Sequence, residues 1–96
     1  MASLREKEIE KKLVEAVRKN GGLASKFVSP GTDGMPDRIV LLPGGRIGFV
    51  EVKAPGKRPR PLQSRRKRQL EALGFKVFVL DDSGQIGGII DEIHSA

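Results

Sequence analysis

The first twenty residues combine apolar and charged positions with a helical period. Their apolar residues recur at intervals of three and four positions, which is typical of a helix that buries one face. The pattern predicts an amphipathic helix over residues 4–20, and the sequence NGG at 20–22 ends it. The apolar positions are Ile9, Leu13, Ala16 and Val17.

Short apolar runs separated by turn-forming residues follow this helix. ASKFVS at 24–29 predicts a short strand, and PGTDGMP at 30–36 predicts a loop. Two further runs rich in β-branched residues, at 37–42 and 46–54, flank the turn sequence PGG at 43–45. Together they predict a β-hairpin.

The helical pattern returns after a second loop. PGKRPRP at 55–61 contains three prolines, which lack the N–H donors that a strand or a helix interior requires. Pro61 suits the first turn of a helix, and we expect that helix to end at Gly74. Its apolar positions are Leu62, Leu70 and Leu73.

A strand and a helix complete the predicted order. FKVFVL at 75–80 is a strand by composition, and SGQIGGIIDEIHSA at 83–96 is a weaker helix. The order α-β-β-β-α-β-α predicts the α/β class, with one mixed central sheet flanked by helices. A chain of 96 residues with 38% hydrophobic content has room for one modest core, which predicts a single domain over 1–96.

Composition restricts the chemistry of the chain. It contains no cysteine, so disulfides and thiolate metal sites are excluded. A metal would be held by oxygen ligands or by the single histidine, His94, and oxygen ligands favour Mg²⁺ or Mn²⁺. No apolar run reaches the length of a signal-peptide core or a membrane helix, which predicts an intracellular protein without membrane contact.

Basic residues are concentrated in one segment. The formal net charge is +6 at pH 7, and residues 53–68 carry eight basic residues and no acidic one. Such an excess indicates a polyanionic partner, because Lys and Arg raise both the affinity for phosphate backbones and the encounter rate. A solvated loop and helix face is the alternative interpretation. The candidate DNA contacts are Lys57, Arg58 and Arg60 in the loop and Arg65, Arg66 and Arg68 along the helix.

Three charged residues interrupt the apolar hairpin, namely Asp37, Glu51 and Lys53. Alternate residues of a strand share a face, so Glu51 and Lys53 lie on the same face. A three-residue turn pairs Leu42 with Arg46 and brings Asp37 opposite Glu51, with about 5 Å between the side-chain roots. A two-residue turn makes the pair diagonal but keeps both carboxylates within reach of a shared ion.

Two carboxylates at this separation repel each other unless a proton or a cation lies between them. A divalent cation held by both can retain several waters and accept a phosphate oxygen. A neighbouring lysine can orient or deprotonate the attacking water. These groups suit hydrolysis of a phosphodiester, whereas an unpaired buried carboxylate at Glu51 would cost several kcal/mol.

The motif formed by Pro36-Asp37, Glu51-Val52-Lys53 and Gln63 resembles that of the PD-(D/E)XK nuclease superfamily. Within this superfamily, segment 29–63 resembles the virus-type replication-repair nuclease (VRR-NUC) family in its short standalone viral or bacterial form. The resemblance extends from the first helix to the strand that ends at Leu80. It implies a restriction-endonuclease-like fold and divalent-metal-dependent DNA cleavage. For standalone members it also implies a homodimer that cuts four-way (Holliday) junctions, a DNA repair activity.

The resemblance also implies individual roles. Asp37 and Glu51 would bind the metal together with the main-chain carbonyl of Val52. Lys53 would lie beside the nucleophilic water, and Gln63 would help to hold that water or the scissile phosphate. Such a protein would act in the cytoplasm of a bacterial or phage-infected cell.

The family also uses an acidic residue on the first helix. At about 100° per residue, Glu6 lies within the apolar stripe and Glu10 at its edge, whereas Glu8 and Glu15 point away. We favour Glu10 as the acid of the site and as a candidate metal ligand, with Glu6 as the alternative. An ion pair with a nearby lysine is the simpler explanation of either residue.

Two other functions fit the same sequence. A non-catalytic basic DNA-binding module would use the carboxylates only structurally. A nicking or restriction-type nuclease on duplex or flap DNA would share the chemistry and differ in the geometry of its dimer. For a homodimer, the expected interface lies on exposed apolar residues of the first or last helix.

Overall fold

The computed structural model describes residues 4–95 and confirms the predicted order of elements. Ala96, the last residue of the predicted closing helix, lies outside the described residues, as do residues 1–3. Within residues 4–95, no helix combines the length and apolar character needed to cross a membrane. The helices are α1 (Leu4–Lys19), α2 (Pro61–Ala72) and α3 (Ile86–His94), and the strands are β1 (Leu23–Lys26), β2 (Arg38–Leu42), β3 (Arg46–Val52) and β4 (Lys76–Leu80), with a 3₁₀ turn at Ser83–Gln85 before α3.

The four strands form one mixed sheet, as predicted, and their order in it is β1-β2-β3-β4. The first three strands are antiparallel neighbours. Strand β4 runs parallel to β3, and α2 supplies the crossover that a parallel connection requires. The carboxyl ends of β3 and β4 therefore lie side by side, with Val52 opposite Leu80.

Helices α1 and α3 cover one face of the sheet. The apolar stripe predicted for α1 packs on Val50 and Val52 of β3, and α3 adds four buried isoleucines to the same cluster. The approach of α3 to the sheet is close, because a Cβ atom at Gly48 would lie 2.5 Å from Ile93. Among residues 5–95, the apolar residues of α1 and α3 pack within the chain and the large exposed apolar side chains lie on other elements, so these helices offer little described apolar surface for the expected dimer interface.

Helix α2 covers part of the opposite face. Leu70 of α2, Phe49 of β3 and Val77 of β4 form a second, smaller buried cluster. The ring centroid of Phe49 lies 5.5 Å from that of Phe27 and 5.7 Å from that of Phe75. This packing fixes the face of β3 that carries the odd-numbered residues.

Two apolar positions predicted for α2 are not buried. Leu62 is 39% exposed and Leu73 is 71% exposed, whereas Leu70 is buried. Leu62 lies in the first turn of α2, and Leu73 is the C-cap residue. Both positions therefore lie at helix ends.

Strand β1 ends three residues earlier than the predicted strand at 24–29 and begins one residue earlier. Its register pairs Leu23 with Leu41 and Lys26 with Arg38. The N–H of Phe27 makes one further bond, to the carbonyl of Asp37 at 2.8 Å. Beyond it the turn-forming residues direct the chain away from the sheet.

Candidate active site

The hairpin turn determines which residues meet across β2 and β3. Leu42 pairs with Arg46, so the turn has three residues, and its two glycines adopt the positive φ values of 86° and 74° that favour glycine. The same register pairs Arg38 with Val50. Continued one residue beyond the start of β2, this register brings Asp37 opposite Glu51, as predicted for a three-residue turn.

Asp37 lies immediately before β2 and is anchored by backbone hydrogen bonds. Its Oδ2 accepts a bond from the N–H of Val52 at 2.9 Å, and its carbonyl accepts the bond from Phe27. Burial raises the pKa of the Asp37 carboxyl above its ordinary value, and the charge of Glu10 acts in the same direction. The hydrogen bond from Val52 and the charge of Lys53 oppose this rise.

Glu51 is the only charged residue among the buried side chains of residues 5–95, with 5% of its surface exposed. Its Oε2 accepts a hydrogen bond from Gln63 Nε2 at 2.5 Å and lies 3.3 Å from Lys53 Nζ. Its Oε1 is buried and has no hydrogen-bond partner within the described part of the chain. Burial, followed by the charge of Asp37, raises the pKa of Glu51 to about 7, against the opposing effect of Lys53.

This carboxylate environment suits a divalent cation. A buried acceptor without a partner costs about 1–3 kcal/mol, and more when it is charged, and two nearby carboxylates both gain from a positive ion between them. Within residues 4–95 there is no group of three or more His, Asp or Glu side chains placed to hold a metal. Two carboxylates fit Mg²⁺, which commonly keeps several waters and takes only one or two carboxylates.

Lys53 and Gln63 approach Glu51 from different elements. Lys53 directly follows β3, and its N–H donates to the carbonyl of Leu80 at 2.8 Å, which extends the pairing with β4. Gln63 lies in the first turn of α2, and its Oε1 accepts a bond from the N–H of Arg60 at 2.8 Å. The structure thus brings together four of the predicted site residues, which are Asp37, Glu51, Lys53 and Gln63.

The first-helix acids lie on another side of Asp37. Glu6 and Glu10 line, together with Asp37, a cleft of about 300 Å³. Glu10 Oε2 lies 2.8 Å from Arg38 Nε, and Arg38 Nη1 donates to the carbonyl of Ala24 at 3.0 Å. Both candidate acids therefore border the site, and the ion pair expected as the simpler explanation of Glu10 forms with an arginine of β2 rather than with a lysine.

Comparison with known proteins identifies the family. No family model matches the chain. A solved structure described as "VRR_NUC domain" has a TM-score of 0.85 and 33% identity, over 93% of this chain and 97% of that chain. The phage protein "Putative nuclease p44", from Acyrthosiphon pisum secondary endosymbiont phage 1, is 59% identical over 94 residues, which cover 98% of this chain and 100% of that protein. The chain belongs to the VRR-NUC nuclease family.

The basic segment of this VRR-NUC protein lies next to the site in sequence and is largely exposed. Five of the six predicted DNA contacts are exposed, and the half-buried Arg66 differs from them. Its Nε donates to the carbonyl of Asp33 at 2.8 Å, and its Nη1 donates to Gln69 Oε1 at 3.0 Å. Arg66 thus ties α2 to the loop that precedes Asp37. The exposed five are Lys57, Arg58, Arg60, Arg65 and Arg68.

The same loop approaches α2 at a glycine. Gly34 has a φ of 82°, and a Cβ atom there would lie 2.8 Å from Leu62. The absence of a side chain at Gly34, which sequence reasoning did not single out, thus allows the loop to approach the first turn of α2 closely. A glycine two residues before the Pro-Asp pair was the available signal, because a close backbone approach is one of the reasons for glycine at a fixed position.

Arg38 is a second residue of the VRR-NUC site that sequence reasoning missed. Strand alternation places Arg38 on the face opposite Asp37, which is the face covered by α1. A basic residue within an otherwise apolar strand on that face needs an acidic partner. The search for such a partner would have led to the acids of the first helix.

Proposed function

We propose that this VRR-NUC nuclease is a Mg²⁺- or Mn²⁺-dependent endonuclease that hydrolyses phosphodiester bonds of branched DNA, with four-way junctions as the preferred substrate. It would act as a homodimer in the cytoplasm of a bacterial or phage-infected cell. The observation that carries the proposal is the position of Asp37 opposite Glu51 when the register of β2 and β3 is continued, together with the buried Oε1 of Glu51, which has no hydrogen-bond partner in the described chain.

Four groups would hold or serve the metal. The carboxylates of Asp37 and Glu51 and the main-chain carbonyl of Val52 are the proposed ligands, and Glu10 is the proposed further acid near Asp37. The bound ion would supply Lewis-acid stabilisation of the charge that develops on the phosphate. Lys53 is the proposed group that orients the attacking water, because its ammonium lies 3.3 Å from Glu51 and can offset negative charge there.

DNA is the proposed substrate because the exposed positive charge follows the site in sequence. The segment from Lys57 to Arg68 leaves the end of β3 through a loop and enters α2, which carries Gln63. Lys and Arg side chains in such a position contact phosphates and orient DNA without reading its sequence. The chain contains no Trp or Tyr, so stacking platforms of the kind that single-strand binders use are scarce.

A row of apolar residues across the sheet is the proposed dimer interface. Leu23, Leu41 and Ile47 are paired neighbours on β1, β2 and β3. Phe75 directly precedes β4, and the register of β3 and β4 continued by one residue places it beside Ile47. Leu23 is 59%, Ile47 39% and Phe75 40% exposed. At about 3.3 Å per strand residue, Ile47 lies about 13 Å from Glu51, so a second copy docked there would leave the site open.

The test is cleavage of four-way junction, flap, single-stranded and linear duplex DNA, side by side with Mg²⁺, Mn²⁺ or EDTA. We expect metal-dependent cleavage with four-way junctions cut fastest. Glu51→Gln and Lys53→Ala should each abolish cleavage while leaving DNA binding intact. The exposed control Glu15→Gln should retain cleavage. Equal rates on flap or linear duplex would assign the nicking or restriction-type activity instead, and activity in EDTA would overturn the metal proposal.

Light scattering tests the dimer. We expect a dimer for the wild type and a monomer for Ile47→Lys, because a charge in the apolar row would disfavour association. A wild type that remains monomeric at working concentration, with activity linear in protein, would refute this part of the proposal.

A further inference from the structure

Both ends of the Gln63 side-chain amide make a hydrogen bond. Its Oε1 accepts a hydrogen bond from the backbone N–H of Arg60 at 2.8 Å, and its Nε2 donates to Glu51 Oε2 at 2.5 Å. Arg60 is the N-cap residue of α2, and Gln63 is the third residue of that helix. The glutamine therefore caps the helix and contacts the buried carboxylate with one planar group.

The orientation of this amide follows from chemistry. A backbone N–H is only a donor, so the oxygen of the Gln63 amide must face Arg60. The nitrogen must then face Glu51, whose ionised carboxylate is only an acceptor. The start of α2 thus determines which end of the glutamine meets Glu51.

The two oxygens of Glu51 have different surroundings as a result. Oε2 accepts a hydrogen bond from Gln63 and forms an ion pair with the ammonium of Lys53. Oε1 is buried without a partner within residues 4–95. A carboxylate held in this way presents one oxygen to an additional ligand and keeps the other fixed.

We propose that Gln63 is a positioning residue, oriented by the Arg60 N–H, that holds Glu51 Oε2 and leaves Oε1 for the metal. This inference rests on the proposed function. It differs from the role that the family resemblance implies, in which Gln63 contacts the nucleophilic water or the scissile phosphate. It also links the basic segment to the metal site, because Arg60 belongs to that segment and its backbone orients the glutamine.

A matched pair of substitutions isolates the orienting hydrogen bond. Arg60→Pro removes the N–H, and Arg60→Ala removes the same side-chain charge but keeps the N–H. The backbone of Arg60 has φ −67° and ψ 157°, which a proline ring accepts without strain. No other hydrogen bond of the Arg60 N–H is found in the described chain, so this is the hydrogen bond by which the two variants differ.

The first measurement needs no metal and no substrate. In the metal-free protein, NMR follows exchange with water of the Gln63 side-chain amide protons, whose signals are assigned by their disappearance in Gln63→Glu. We expect exchange in Arg60→Pro to be at least about tenfold faster than in wild type, and exchange in Arg60→Ala to remain close to wild type. Equal exchange in the two variants would overturn the proposal.

The second measurement separates positioning from DNA contact. Arg60→Ala should raise KM for DNA with little change in kcat, because it removes a phosphate contact. Arg60→Pro should raise KM equally and also lower kcat by about tenfold, with more Mg²⁺ needed for half-maximal activity, as is typical when a group that orients a metal ligand is lost. Identical kcat and Mg²⁺ dependence in the two variants would overturn the proposal.

Gln63→Glu provides an independent variant. Glutamate at this position still accepts the Arg60 N–H, as in an ordinary capping box, but cannot donate to Glu51 when ionised. We expect a melting temperature below that of wild type, because the new carboxylate replaces the donor to Glu51 Oε2 and repels it, and a kcat, measured well below that temperature, lowered by about tenfold or more. A wild-type kcat in Gln63→Glu would refute the positioning role. If wild type shows no metal-dependent cleavage, the proposed function fails, and the exchange measurement still decides the arrangement of Gln63.

Discussion

Replacing Glu51 by glutamine should stabilise the metal-free protein at alkaline pH. Glutamine has nearly the shape of protonated glutamate and carries no charge, so it mimics the neutral form of the side chain. The pKa of Glu51 is raised from 4.5 to about 7 by burial and by the charge of Asp37, after the opposing effect of Lys53. At about 1.4 kcal/mol per pH unit, ionisation in the folded state costs roughly 3 kcal/mol more than in the unfolded chain.

The sign of the pH dependence follows from the raised pKa. Below about pH 4.5 Glu51 is protonated in both states, and the wild type bears no ionisation cost. Between about pH 4.5 and 7 the unfolded chain ionises Glu51 while the folded state keeps it protonated, so the free energy of unfolding falls, and above about pH 7 both states are ionised and the loss is complete. We therefore expect Glu51→Gln to match wild type near pH 4.5 and to exceed it by about 2–3 kcal/mol near pH 8.5.

Urea unfolding in EDTA at these two pH values measures the difference. Far-UV circular dichroism is the suitable signal, because the chain has no Trp or Tyr for fluorescence. Glu15→Gln, an exposed change on α1, controls for the loss of one negative charge and should show no pH-dependent gain. A Glu51→Gln variant no more stable than wild type near pH 8.5, or a difference that does not change with pH, would refute the reasoning.

Three other predictions concern the metal, the loop and the basic segment. Because burial raises the pKa of both site carboxyls, protons compete with Mg²⁺ for them. The affinity for Mg²⁺, measured by calorimetry, should therefore fall roughly tenfold per pH unit below pH 7, and a pH-independent affinity would contradict this. Gly34→Ala should lower the free energy of unfolding by about 2–4 kcal/mol, whereas Gly31→Ala should lower it by only about 1–2 kcal/mol. Both glycines have positive φ, but only at Gly34 does the new Cβ meet Leu62, so equal losses in urea unfolding would argue against the contact. Lys57→Ala should reduce the slope of log affinity for DNA against log salt concentration by about 0.9, and an unchanged slope would show that Lys57 makes no phosphate contact.

Local rules were sufficient to predict the hairpin. Strand alternation placed Glu51 and Lys53 on one face, and the length of the turn paired Leu42 with Arg46. Both rules act between residues that are near in sequence, and a slip of one residue would move a whole set of side chains to the wrong face. The register was therefore predictable up to the choice between a two-residue and a three-residue turn, which the pairing of Leu42 with Arg46 decides.

Contacts between distant segments were not predictable in the same way. The bond from Arg38 to Glu10 joins residues 28 positions apart, and it depends on how α1 crosses the sheet. The spacing of apolar residues likewise predicted that α2 exists, but it did not show that Leu62 and Leu73 are exposed at the helix ends. Motif resemblance selected Gln63, but the contact with the Arg60 N–H that sets its orientation appears only once the start of α2 is placed.

We expect the short turn between β2 and β3 to set the order of events during folding. A hairpin closes within about 1–10 μs, whereas β4 pairs with β3 only after a longer loop has closed through α2. Asp37 and Glu51 therefore meet early, and their repulsion opposes a step on which later pairing depends. We expect Mg²⁺ to accelerate the folding of wild type, in addition to stabilising the folded state, and to leave the folding rate of Glu51→Gln nearly unchanged.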